Sequence, residues 1–456
     1  MLIRKGLVGV AAALLTVGST VWADQAAAPA APGNTISAVT PNLVPGGGVV
    51  SSPLYADGTA STTPLMMGLD KIGVGKYLED VGISITGYVE LGYTYDLTQP
   101  KDGSPGKAAP SDAIYFNGPY KNAFDPDQVD LNISRTADPT KGKFDWGFTI
   151  EGLWGRDAAY VHSNGIYDNT VKDGSGGFSQ PDLEQAFFEV AVPVGSGVLI
   201  KGGKFDTLLG EECIDAPSNA FYSHSYLFSY AVPLTQTGLL ASYTFNSEWA
   251  ATAGFTRGWN ESTDDNNGAI DFLGQAVYTG TKLTLTGNLS VGPEGIVGTL
   301  PYGPRNNALY WVVPEVIAAY KVSDELTATA DVVYGYAAQQ SQWYGIAGYA
   351  SYAFNSMFTP QLRIEWYHDG HGATTGAGGL DANAFTGVGR DINFYEGTAG
   401  VQITPLPNDN ILKNLMVRPE LRGDDATKRV LDTHGGASNS GHYTELTFAV
   451  DAIMKY

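Results

Sequence analysis

From residue 82 to the last residue, apolar side chains recur at every second position, segment after segment. In the stretch Ile83 to Tyr95, residues Ile83, Ile85, Val89, Leu91, Tyr93 and Tyr95 share one face. Ser84, Thr86, Glu90 and Thr94 share the other. Successive side chains of a strand point to opposite faces, so this spacing gives a strand with one apolar and one wet side. The pattern returns at Leu283, Leu285, Leu289 and Val291, at Leu362, Ile364 and Trp366, and at Leu446, Phe448, Val450, Ala452, Met454 and Tyr456. About sixteen such segments are expected, at roughly 83–95, 127–135, 144–156, 182–193, 197–205, 235–245, 248–258, 269–279, 282–292, 308–320, 325–336, 343–354, 357–369, 391–404, 413–424 and 443–456.

The gaps between segments constrain the fold further. Connections after even-numbered segments are mostly short, such as Gly195-Ser196-Gly197 and Asn246-Ser247. Those after odd-numbered segments are mostly long, including 96–126, 157–181, 206–234, 370–390 and 425–442. Short turns at one end and long loops at the other predict an all-β, transmembrane, antiparallel up-and-down β-barrel over 82–456, with short periplasmic turns and long extracellular loops. Both termini then lie on the short-turn side, which requires an even strand number. A soluble sandwich needs no such alternation of connection length, and a solenoid would show a fixed repeat.

Composition fits this and excludes other classes. Mean hydropathy is −0.09, too polar for a bundle of membrane helices. Glycine makes up 57 of 456 residues and tyrosine 26, while charged residues are 16%. That is too aromatic for a disordered chain. The formal net charge of −21 argues against nucleic acid as a partner, because a phosphate-binding chain should be basic. The single cysteine, Cys213, excludes an intramolecular disulfide and a four-cysteine metal site.

Residues 1–23 read as a signal peptide, with Arg4 and Lys5 before the apolar run Gly6 to Val17 and a cleavage site after Ala23. The apolar run is shorter than the ~20 residues a spanning helix needs. Residues 24–64 read as a flexible Ala/Pro/Gly-rich linker. Residues 65–81 read as a short periplasmic segment, for which a helix and irregular structure are both open. Export followed by barrel insertion places the chain in the bacterial outer membrane.

A barrel of about sixteen strands is too wide for its own side chains to fill. Its inward face is expected to carry Glu90, Asp130, Asp145, Glu151, Glu189, Asp271, Glu315, Asp331, Glu365, Glu396, Glu420 and Asp451. The inward basic residues are fewer: Lys201, Arg363, Arg418 and Arg422. In a water-filled lumen such charges set the field that a solute meets, and the excess of carboxylates predicts a leaning toward cations. The three arginines should form one basic strip. Loop 206–234 has apolar residues that favour burial, so it is expected to fold inward and narrow the lumen. Glu211, Glu212 and Asp215 would then face the strip across the gap. Outward aromatics, among them Trp146, Trp154, Trp249, Trp259, Tyr334, Tyr352 and Trp366, should lie near strand ends at the headgroup level.

Several stretches resemble the beta-barrel porin-2 family, the OmpL-like porins of Gram-negative envelopes. They are Gly82-Ile83-Ser84-Ile85-Thr86-Gly87-Tyr88-Val89-Glu90, Asp182-Leu183-Glu184-Gln185-Ala186-Phe187, and Lys201 to Glu212. Asn219 with Tyr222 to Ser225, Thr235 to Gly238, and Gly258-Trp259-Asn260 with Asp265 to Asn267 complete them. The resemblance spans about residues 80–456. It implies a passive outer-membrane pore for small hydrophilic solutes or ions, and general porin architecture implies a homotrimer in contact with outer-membrane lipid and lipopolysaccharide.

Two other classes fit the sequence less well. A barrel enzyme such as a phospholipase would need a Ser–His pair at the lipid interface, yet all six histidines (162, 224, 368, 371, 434 and 442) fall in loops or at their edges. A structural or adhesive barrel would have a blocked lumen. No catalytic residue, cofactor or metal is expected. His368 with His371 is a weak ligand pair, and Asp264 to Gly268 lacks the distal Glu of a calcium loop.

Overall fold

A computed structural model describes residues 63–98, 124–168, 180–265, 267–294, 310–338, 341–375, 391–428, 430–431 and 443–456. The expected signal peptide and almost all of the linker lie outside these residues, as do His434 and His442. Two short helices, α1 (Pro64–Lys71) and α2 (Gly75–Asp80), precede the barrel. Thr63 caps α1, its side chain accepting from the Met66 amide, and Pro64 occupies the first turn, where a missing N–H costs nothing.

Sixteen antiparallel strands follow: β1 (Ser84–Asp96), β2 (Phe124–Arg135), β3 (Asp145–Gly155), β4 (Gln180–Val192), β5 (Val198–Asp206), β6 (Thr235–Thr244), β7 (Trp249–Thr256) and β8 (Asp271–Thr279) form the first half. The second half is β9 (Leu283–Gly292), β10 (Trp311–Lys321), β11 (Leu326–Ala337), β12 (Ser341–Tyr352), β13 (Phe358–Asp369), β14 (Ile392–Ile403), β15 (Leu415–Ala426) and β16 (Thr444–Lys455). Each pairs with its sequence neighbours, and β1 closes on β16, for example Leu91 opposite Ala452. Closure leaves no strand edge unpaired, which is the condition for a sheet in lipid. The expected strand starts differ most at β2 and β10, which begin at Phe124 and Trp311.

The alternation sorts cleanly into two faces. Leu131, Ile150, Leu239, Val316, Val332, Ile346, Ile364 and Phe448 are exposed on the outer band. Trp146, Trp249 and Tyr352 lie at the turn end of the wall, and Trp154, Tyr334 and Tyr336 at the loop end, all exposed. Trp259 departs from expectation. It packs inward against Trp311 and Trp343, with ring centroids 5.4 and 6.2 Å away.

Among the described residues the strand register slips at two places. In the β1–β2 ladder Glu90 faces Gln128 while Leu91 faces Pro126, so Asp127 is an extra residue. In the β3–β4 ladder Glu151 faces Gln185 while Gly152 faces Leu183, so Glu184 is extra. Each is a β-bulge, which inserts one residue and re-aims side chains. The result is that Asp127 with Gln128, and Glu184 with Gln185, are all buried inside the barrel.

Candidate functional site

The segment between β5 and β6 does not stay outside. Residues 207–234 are largely buried within the barrel, with Leu208, Leu209, Phe221, Tyr226, Leu227 and Tyr230 among the most enclosed apolar side chains. It has little regular structure beyond a single turn at Ala216–Ser218 and a π-helical turn at Leu227–Ala231. An irregular segment in such a place must find partners for its backbone polar groups, since an unpaired buried N–H or C=O is costly. The inward charges of the wall supply them.

Wall carboxylates take the loop's N–H groups. Glu315 on β10 accepts from the Gly210 amide at 2.9 and 3.0 Å, and Asp331 on β11 from Glu211 at 3.3 Å. Glu420 on β15 accepts from the Tyr222 and Ser223 amides at 2.9 and 3.2 Å. Glu365 on β13 accepts from Tyr226 and Leu227, both at 2.7 Å. Wall arginines take the loop's carbonyls. Arg418 donates to Ala216 and Asn219 at 2.8 and 2.7 Å. Arg363 donates to Ser223 at 2.7 Å, and Arg422 to His224 at 2.6 Å.

Each arginine is also neutralised in place. Arg418 bonds Asp451 on β16 at 2.5 Å and reaches Glu90 on β1 at 3.3 Å. Arg363 bonds Glu396 on β14 at 3.1 Å and loop residue Glu212 at 2.8 Å. Arg422 pairs with Asp424 on its own strand at 2.9 Å. The planar guanidinium, with five donors in a fixed fork, can serve a carboxylate on one edge and a carbonyl on another. Along β15 the spacing Arg418, Glu420, Arg422, Asp424 puts all four on one face, so one strand presents donors and acceptors in turn.

Shape matches charge. Gly92 on β1 lets the Tyr222 ring approach, and a Cβ there would collide with the Tyr222 hydroxyl. That hydroxyl donates to Asp127, the bulge residue of β2, at 2.8 Å. Gly335 similarly makes room for the Trp343 indole, whose N–H donates to the Ala231 carbonyl at 3.0 Å.

The basic strip expected from the sequence does come together, but not as a free surface facing the loop across a gap. Its three arginines are almost wholly buried and hold the loop directly. Of the three loop carboxylates, Glu212 pairs with the strip, through Arg363. Glu211 lies over β10 and β11, and Asp215 accepts from the Tyr88 hydroxyl of β1 at 3.2 Å. Lys201 sits apart on β5, 3.7 Å from Glu189. Asp130 and Glu151 line β2 and β3, beside Glu184 and Asp206. Asp271 on β8 is buried on the inner face.

The loop groups titrate as this packing dictates. Burial alone would raise Glu212, but the Arg363 guanidinium, the His224 ring and the Ser225 amide hold it at about 2. Burial lowers His224 despite Glu212 beside it, 3.0 Å away. Burial, then the charges of Glu212 and Glu315, push Glu211 well above the usual carboxylate range. Burial and the charge of Asp215 push the Cys213 thiol up, away from reactive thiolate character.

Beside the loop, Trp259, Trp311, Trp343, Tyr160, Tyr230 and Asn260 line a cavity of about 420 Å³. Sequence reasoning gave no inner role to these tryptophans. A period-two reading cannot place a residue such as Trp259, which lies just past the end of its strand.

Residues 82–456 match the model of the family described as "Putative beta-barrel porin-2, OmpL-like". The chain belongs to this family. It is a porin, and with that a channel of the bacterial outer membrane. Solved structures agree on the fold. Pseudomonas putida OprB at high pH is 14% identical with a TM-score of 0.52, over 85% of this chain and 97% of that one. Salmonella typhi OmpF in complex with daunomycin is 12% identical with a TM-score of 0.52, over 82% and 97%. Among curated proteins no sequence matches it.

Proposed function

We propose that loop 206–234 is the constriction of a passive diffusion channel for small hydrophilic solutes and ions, and that the channel leans toward cations. One observation carries this reading. The loop lies inside the barrel with its backbone bonded to charged side chains of β10, β11, β13 and β15, and a segment held there supports a constriction where it passes. The cation preference rests on charge balance. Arg363, Arg418 and Arg422 each pair with a wall carboxylate, which leaves the further inward carboxylates as the uncompensated sign.

Selection by width and field needs no covalent step, and the chain has no enzymatic role in this reading. On β13, His368 shares the outward phase of Ile364 and Trp366. It stacks on Tyr344 at 4.5 Å and bonds Asn393, without a serine partner. Assembly as a homotrimer, which porin architecture implies, belongs to the same proposal.

The test is a planar bilayer holding refolded protein in a potassium chloride gradient. A reversal potential on the potassium side is expected. A reversal potential on the chloride side overturns the cation preference. The absence of discrete current steps would favour instead a structural or adhesive barrel with a blocked lumen.

A further inference from the structure

Five carboxylates converge where the loop meets strands β2–β5, on the arc of the wall that β1 joins to the arginine arc. Asp130 comes from β2, Glu151 from β3, Glu184 from β4, Asp206 from the end of β5, and Asp215 from the loop. Ligand atoms of Asp130, Glu184 and Asp215 lie within 4.8 Å of one another, and so do those of Glu151, Glu184 and Asp206. Glu184 belongs to both groups, and it is inside only because it is the bulge residue of β4.

Glu184 also supplies an observation independent of the clustering. It is fully buried, and neither of its carboxylate oxygens accepts a hydrogen bond. One oxygen of Glu151 and one of Asp206 are likewise buried without a donor. The donors nearby are engaged. Lys204 bonds Asp182 at 3.1 Å and Lys201 lies against Glu189. Gln185 gives its amide to the other oxygen of Glu151 at 2.5 Å, and Tyr88 donates to Gln128 as well as to Asp215. A buried carboxylate oxygen without a donor costs several kcal/mol, and a bound cation removes that cost for Glu184 and for the free oxygens of Glu151 and Asp206 at once.

We propose that these five carboxylates bind a divalent cation of the calcium class, which ties the loop tip at Asp215 to strands β2–β5. The donor set is oxygen only, which selects a hard cation over zinc or copper. Calcium fits better than magnesium. It accepts irregular, partly bidentate carboxylate shells, whereas magnesium keeps several waters that this enclosed site has little room for. The ion and the arginine strip then hold the loop from neighbouring arcs of the wall.

The test uses the full barrel refolded from denaturant, free of lipopolysaccharide and stripped with chelator, so that lipid-bound calcium does not contribute. Calorimetric titration with calcium should show one saturable site per chain and a higher unfolding midpoint. Magnesium should bind at least tenfold more weakly. Glu184→Gln should weaken calcium binding at least tenfold. Should that variant not refold, Asp215→Asn, on the loop side, should do the same. Asp264→Asn, on an exposed loop, should bind as the parent chain does. A folded, conducting parent channel that binds no calcium overturns the inference and leaves the channel reading intact. So does calcium binding that Glu184→Gln and Asp215→Asn leave unchanged.

Discussion

The two flanks of loop 206–234 solve the same problem by different means. On the β13–β16 side, charges of opposite sign alternate, and every arginine meets a carboxylate and a loop carbonyl. On the β2–β5 side, carboxylates meet carboxylates, and the lysines of β5 are engaged elsewhere. The comparison separates two kinds of buried charge. A matched network is complete within the chain and rigid in any ionic medium. A cluster of one sign is stable only with something added from solution. The same loop is therefore clamped on one side and conditionally held on the other.

The sharpest way to break this contrast is to remove one charge from each flank. Arg363→Met leaves Glu212 and Glu396 buried without their cation, which should cost about 3–5 kcal/mol of local stability. The barrel should still close, but single-channel recordings should show larger and noisier currents. Removing a charge from the other flank should have the opposite sign in chelator, because Glu184→Gln relieves repulsion there. Equal destabilisation by both variants would erase the distinction between the flanks.

A smaller effect is expected from pH. Glu212 is held at about 2, below its unfolded value, so its contribution is complete above pH about 4.5 and is lost as pH falls toward 2. His224 is lowered by burial, so its contribution is complete above about 6.5 and also declines as pH falls. Both signs mean that acid loosens the arginine flank. Glu211, raised by burial, acts in the other direction, because its protonated form is the one the packing prefers. Conductance followed from pH 7 to pH 3 should therefore rise, and Glu212→Gln should flatten the change below pH 4.5. A profile in Glu212→Gln identical to that of the parent chain would remove Glu212 from the clamp.

Much of this was legible in the sequence, and the reasons are physical. Strands such as Leu283–Gly292 and Thr444–Lys455 are readable because lipid on one side and water on the other force a strict period of two. The inward set Glu90, Glu365, Glu420, Asp451 and the three arginines follows from that period alone. The apolar residues of loop 206–234, such as Leu208, Phe221 and Leu227, signalled burial. What period two cannot see is its own interruption. Gln185, Phe187 and Glu189 set one phase in β4, which would turn Glu184 toward lipid. The bulge resets the phase and brings Glu184 inside. Asp127 is hidden in the same way in β2. The pairing of the arginines was also beyond the sequence, because Arg418 reaches Asp451 and Glu90 on two other strands, including across the closure of the barrel. The spacing shows that the charges face inward but not that they are already matched.

The central claim is that the loop, held inside the lumen, sets the width of the channel. Deleting Glu211 to Ser218 tests it most directly, since this removes the loop tip and leaves all sixteen strands intact. Single-channel conductance of the refolded deletion variant should rise, and solutes larger than those the parent channel passes should permeate. A folded deletion variant with unchanged conductance and an unchanged size limit would contradict the account.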